Sequence, residues 1–267
     1  MPVKSLFGAA IALPLLLGAN VQTAAANETR SYSSEYVISA IGLRIGRSSF
    51  NTQISEDRFT INGSMRAAGL ASLFSSMSGT INVDGSRSNS SMQTRVYDVR
   101  YAEGDKQKRT TVKYSGSRMT SAVNQPDRKR REKRKDWVAH KPGAINNTLD
   151  PLTALLIPAS GPRDVCNRRI RSFDGVMRAD YQLSFVRTIP FSTDGFSGDA
   201  VTCRAKFIPV SGYQSEKKDV KFMRDRSRIE ISFAQVGDTG LYAPVTAKAQ
   251  TRIGEIAVRA VRFQADG

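Results

Sequence analysis

The chain has 267 residues, 40 Lys+Arg against 24 Asp+Glu, a formal charge of +16, one His and two Cys. A single imidazole excludes a multi-histidine metal site, and two thiols exclude a thiolate zinc cluster, so no metal or other cofactor is expected. With 40% hydrophobic residues the composition is globular, and the length suffices to bury a core.

The N-terminus reads as a secretory signal. Met1 to Lys4 carries one positive charge, Ser5 to Ala19 is almost wholly apolar, and Thr23-Ala24-Ala25-Ala26 supplies small residues for cleavage. Gly8, Pro14 and Gly18 interrupt the apolar stretch, which falls short of the ~20 residues of a spanning helix. Cleavage after Ala26 is expected, leaving residues 27–267 as one soluble, exported, β-rich domain. No Cys follows the small residues, so a lipid anchor is not expected.

Beyond the signal, period-two alternation dominates. It runs through Tyr36–Ser39, Phe59–Asn62, Thr80–Asp84, Arg95–Tyr101 and Thr111–Tyr114. It returns in Tyr181–Phe185, Val201–Phe207, Arg228–Phe233, Tyr242–Ala249 and Ile253–Phe263. Turn signals separate these segments, among them Asp84-Gly85, Ser115-Gly116-Ser117 and Asp194-Gly195. The pattern predicts an all-β, mostly antiparallel protein with one wet face and one or two short helices. One helix is expected at Gly69–Met77, where Leu70, Leu73, Phe74 and Met77 form an apolar side suited to a flap. Another is expected at Asp150–Ile157, with Asp150 as N-cap, Pro151 in the first turn and Pro158 as the stop. There is no dinucleotide fingerprint, phosphate loop or strand–helix alternation, which argues against a parallel α/β enzyme.

The one shift in composition lies at about 126–141. Arg128, Lys129, Arg130, Arg131, Lys133, Arg134 and Lys135 fall within eight residues, with Trp137 just beyond. The run has no strand alternation and reads as a loop. Its natural partners outside the cytoplasm are anionic lipid headgroups or lipopolysaccharide phosphates, with Trp137 as an interfacial anchor. A merely solvated loop is the competing reading. Nucleic acid is not expected as a partner of an exported chain.

In an oxidising compartment Cys166 and Cys203 are expected to form one structural disulfide. A redox pair is disfavoured because no Cys-x-x-Cys motif is present to lower a thiol pKa. Leu152, Leu155, Leu156 and Ile157 make the mid-chain segment apolar on most faces, so it reads as a lid or plug over a cavity, or as ordinary core. His140 has no Gly-x-Ser-x-Gly or Ser-x-x-Lys partner motif, and Asp84, Asp174, Asp194 and Asp238 all sit beside Gly as turn formers. No catalytic residues are therefore assigned, and the chain is not expected to be an enzyme.

Several segments together carry a resemblance. They are the tyrosine-led first strand into Gly42-Leu43-Arg44-Ile45-Gly46, the stretch Gly69–Phe74, and Leu149-Asp150-Pro151-Leu152-Thr153-Ala154-Leu155-Leu156. Cys166 with Phe173-Asp174-Gly175, then Cys203 and Arg252-Ile253-Gly254, complete the set. The chain resembles exported Gram-negative, mainly α-proteobacterial, proteins grouped as domain of unknown function DUF 3108, over nearly all of residues 32–263. The resemblance implies a periplasmic location and a strongly curved, partly closed sheet, a half-barrel or β-spiral around a hydrophobic interior. That shape is similar to open-barrel lipid and lipoprotein carriers and to spiral envelope-integrity proteins. It implies no catalytic residues, and the basic run is not part of the family pattern. The function expected is binding of a hydrophobic ligand or of an envelope partner, a periplasmic protein or lipoprotein, in support of envelope integrity. The alternatives are a scaffold that pairs through an exposed strand edge and a cell-wall or lipid hydrolase.

Overall fold

The computed structural model describes residues 29–69, 72, 76–88, 90–127 and 132–265. The signal segment with its cleavage site after Ala26 lies outside them. So do Leu70, Leu73 and Phe74 of the expected flap, and Arg128, Lys129, Arg130 and Arg131 of the basic run.

Seven strands follow one another by hairpins and short connections: β1 (Arg30–Ala40), β2 (Leu43–Ile54), β3 (Arg58–Ala67), β4 (Ser78–Arg87), β5 (Met92–Glu103), β6 (Lys106–Ser115) and β7 (Arg118–Gln125). The second half contributes β8 (Trp137–Val138), β9 (Ile157–Pro158), β10 (Arg169–Phe173), β11 (Arg178–Thr193), β12 (Phe196–Ser211) and β13 (Tyr213–Gln214). It closes with β14 (Ile229–Gln235), β15 (Leu241–Thr251) and β16 (Gly254–Ala265). One antiparallel sheet runs in the order β10-β11-β12-β14-β15-β16-β1-β2-β3-β4-β5-β6-β7, and β9 adds to β15. Both halves of the chain therefore share one sheet, joined where β16 pairs with β1.

Alternation explains the core. Tyr32, Phe59, Ile61, Val83, Tyr97 and Val112 point inward from β1, β3, β4, β5 and β6, and they share a cluster with Phe173 of β10, Val245 of β15 and Phe263 of β16. Residues from the two ends of the sheet order meet in that cluster, so the sheet is strongly curled. It is not closed, because no strand pairing joins β7 to β10. Packing bridges the gap instead. Gly175, just after β10, lies against Thr110 and Val112 of β6, and the Asn124 side chain of β7 donates to its carbonyl at 3.0 Å.

The helix expected at Asp150–Ile157 does not form, and the one expected at Gly69–Met77 lies largely outside the described residues. Between Asp150 and Ile157 there is only a single 3-10 turn, Thr153–Leu155. Asp150 does cap it, its Oδ1 accepting the Leu152 and Thr153 amides at 2.9 and 3.1 Å. The turn stops because Leu156 is already extended and Ile157–Pro158 pair with β15. A proline at 158 also biases Ile157 away from helix. Short helices occur instead at α1 (Pro162–Cys166) and α2 (Lys218–Asp225). The basic run is likewise not loop throughout: Trp137 and Val138 pair with Tyr213 and Gln214 as β8 and β13.

Cys166 and Cys203 form the disulfide, with Cα atoms 5.3 Å apart. It ties α1 to the middle of β12, inside a second buried cluster with Val165, Leu183, Val201 and Phe233.

Candidate functional site

The side chains that alternate with the core residues of β1 to β7 form two cross-strand rows. One row is Glu35, Ser49, Ser64, Thr80, Arg100, Arg109 and Gln125; the next is Arg47, Arg66, Ser78, Ala102 and Gln107. Their inward neighbours are Tyr36, Met65 and Tyr101, so both rows lie on the outer face. Small side chains form the floor and long ones the walls, which leaves a groove of about 900 Å³.

The groove is basic. Arg100 and Arg109 are cross-strand partners on β5 and β6. Asp98 holds both: Arg100 donates to it at 3.0 Å, Arg109 at 2.7 Å and the Thr111 hydroxyl at 2.7 Å. Burial pushes the Asp98 carboxyl up, but the hydrogen bonds from Thr111, Arg109 and Arg100 outweigh it and hold the carboxyl below its usual range. One ionised carboxylate thus serves two guanidinium groups. Arg47 and Arg66 also stand opposite each other, on β2 and β3, with no ion-pair partner among the described residues. Like charges placed directly opposite are unfavourable, and an oxyanion between them removes the repulsion.

Residues 31–261 match the family described as protein of unknown function, DUF3108. The chain belongs to this family. Its fold is similar to the crystal structure of a β-barrel-like protein of domain of unknown function DUF1849 from Brucella abortus, with a TM-score of 0.49 and 9% identity, covering 89% of this chain and 98% of that one. No curated protein matches the sequence.

In this DUF3108 chain the residues singled out from sequence are placed as follows. Lys133, Arg134 and Lys135 are exposed, and Arg134 is paired to Asp136 at 3.2 Å. Trp137 is half-buried in β8, hydrogen-bonded into a strand pair, not poised on a free loop. The segment holding Leu152, Leu155, Leu156 and Ile157 sits between the two core clusters: Leu152 and Leu156 pack into one, Leu155 and Ile157 into the other. Asp150 anchors it to β5, accepting the hydroxyl of Thr94 at 2.7 Å.

His140 is exposed, with its ring edge-on to Phe173 and its Nδ1 2.7 Å from the Ser211 hydroxyl. Burial of one side pushes its pKa down. Ser211 itself is 3% exposed, so this pair is a structural hydrogen bond and not an accessible nucleophile with its base. Among the described residues no group of three His, Cys, Asp or Glu side chains is placed to hold a metal ion. No described helix is long and apolar enough to cross a membrane.

The four groove arginines were not singled out from sequence. They come from four strands at positions 47, 66, 100 and 109, and no local motif joins them. Strand register brings them together.

Proposed function

We propose that this protein is a non-enzymatic periplasmic binding protein of the cell envelope that works through its outer face. Its ligand is an anionic envelope component, the phosphate of a lipid headgroup or of lipopolysaccharide. The observation that carries this reading is the 900 Å³ groove lined by Arg47, Arg66, Arg100 and Arg109 against a single lining carboxylate, Glu35, with Asp98 beneath Arg100 and Arg109 as their shared partner. An acyl chain held in the concave interior fits less well. Tyr32, Phe59, Phe191 and Phe263 fill that space, and the voids beside Leu155 and beside Leu156 are about 230 and 410 Å³, each well below the groove. The disulfide supports an oxidising compartment. The inaccessible Ser211 supports binding over hydrolysis.

The test is titration with lipopolysaccharide and with phosphatidylglycerol micelles, comparing the natural chain with an Arg47→Ser/Arg66→Ser variant. Each arginine near an anionic surface contributes about 1 kcal/mol, so the double variant should bind roughly thirtyfold more weakly at low salt. Equal binding would sink the groove as the site.

A second reading is favoured by a separate observation. Among the described residues no strand pairs with the outer edge of β7, whereas the outer edge of β10 is partly covered by Leu149, whose amide and carbonyl bond to Arg171 and Phe173. An added partner strand on β7 would make the protein a scaffold. A proline at Val123 or Ser121 should abolish capture of such a partner and leave anion binding intact.

A further inference from the structure

The most exposed large aliphatic side chains sit together at one end of the sheet. Ile41 is 68% exposed and Leu43 55%, at the β1–β2 hairpin; Ile253 is 70% exposed, at the β15–β16 hairpin. These hairpins are neighbours, since Ala40 pairs with Ile256 and the Ile41 amide donates to the Glu255 carbonyl at 2.9 Å. Ile41 leans over Gly254, so close that a Cβ there would meet it at 2.8 Å. Single exposed apolar residues are ordinary on a surface, but three on adjacent tips make a patch.

The backbone adds an independent observation. Ile41 and Gly42 have φ of +51° and +76°, both positive, as in a type I′ turn. Asn, Asp or Gly suits the first of these positions; a β-branched isoleucine there is strained. The chain thus carries, at an exposed tip, the residue type least suited to the fold. Charge completes the picture. Arg44 follows Leu43 on β2 and is exposed.

We propose that this end of the molecule docks on an anionic phospholipid bilayer. Ile41, Leu43 and Ile253 insert among the headgroups, and Arg44 lies at the level of the lipid phosphates. Apolar tips rimmed by arginine match that surface in both hydrophobicity and charge. The inference extends the envelope role from a ligand groove to a membrane-docking end, and its test separates the two.

The full exported chain is floated with phosphatidylglycerol–phosphatidylethanolamine vesicles at low salt and at about 0.5 M salt, where exposed charges are largely screened. The natural chain should stay partly bound at high salt, because insertion of apolar tips is not screened. Ile41→Ser/Ile253→Ser should weaken binding about a hundredfold, roughly tenfold for each side chain withdrawn from the bilayer. Ile41→Asn separates docking from folding: it should raise the melting temperature by a few degrees while weakening vesicle binding. Unchanged binding of the serine variant, complete release at high salt, or a lower melting temperature for Ile41→Asn each overturns the inference. So does a dimer that the serine variant abolishes in a chain that never floats. If instead Arg47→Ser/Arg66→Ser leaves low-salt binding unchanged while the tip variants lower it, the groove reading fails and the docking end stands.

Discussion

Arg47 of β2 and Arg66 of β3 are direct cross-strand partners, with no carboxylate paired to either among the described residues. A directly opposed like-charge pair costs a few tenths of a kcal/mol up to about 1 kcal/mol. Replacing one member removes that cost, so Arg66→Gln is expected to raise the melting temperature by about 1–3 °C at low salt. The gain should shrink as salt screens the natural pair. Thermal melts at two salt concentrations check it, and a loss of stability would mean that Arg66 has a neutralising partner.

The disulfide is the staple of the second core. Cys166 and Cys203 are both fully buried and lie 37 residues apart in sequence. Closing a loop of that size contributes roughly 4 kcal/mol in the chain-entropy picture. Cys166→Ala/Cys203→Ala should therefore lower the denaturation midpoint strongly while leaving the β-rich circular dichroism in place. Non-reducing mass analysis of the natural chain should give a value lower than the reduced form by the mass of two hydrogen atoms.

Gly85 of β4 faces Phe59 of β3 as a direct partner, and a Cβ at Gly85 would lie 2.3 Å from the Phe59 ring and 2.5 Å from the Gln93 carbonyl. The buried ring takes the space that a side chain would fill. Gly85→Ala is expected to cost about 1–3 kcal/mol by overpacking. Adding Phe59→Leu should recover part of that loss, because the two changes share one space. Strictly additive losses in chemical denaturation would show that the ring is not the obstacle.

These elements differ in how far the sequence reveals them. The alternation at Arg95–Tyr101 became part of β5, and those at Tyr181–Phe185 and Val201–Phe207 became parts of β11 and β12, because each is a local pattern with one buried face. The cysteines were legible because there are only two. The helix expected at Asp150–Ile157 failed for a tertiary reason. Its cap and its proline are genuine local signals, but Ile157 pairs with Tyr242 on β15 instead of completing a second turn. The groove was not legible at all. Arg47 meets Arg66, and Arg100 meets Arg109, only through the register of their hairpins, which no local spacing specifies.

Asp150 holds the segment between the two cores, accepting the Thr94 hydroxyl and the Leu152 and Thr153 amides while fully buried. Asp150→Ala leaves these buried donors without an acceptor and should cost about 3–5 kcal/mol. Asp150→Asn keeps one acceptor oxygen and should cost less. Burial, partly opposed by those hydrogen bonds, raises the carboxyl above its usual range, so the fold favours the protonated form. Its contribution to stability is then largest at acid pH and declines as pH rises through the folded value. Denaturant midpoints of the natural chain and Asp150→Asn should therefore approach each other toward neutral pH; a gap that widens would reverse the assignment.

Asp98 has the opposite sign. Its folded carboxyl is held below the unfolded value of ~3.9, by Thr111, Arg109 and Arg100 against the effect of burial. Its contribution is fully present above that unfolded value and is lost as pH falls through the folded one. The arginines are about half exposed, so screening limits the contribution to about 1–2 kcal/mol. Asp98→Asn should be destabilised by that amount at neutral pH, and the difference from the natural chain should vanish in strong acid. The same change removes the one negative charge shared by Arg100 and Arg109, so it should strengthen anion binding in the groove severalfold while weakening the fold. A variant that loses stability and anion binding together would show that Asp98 positions the arginines for the ligand and does not compete with it.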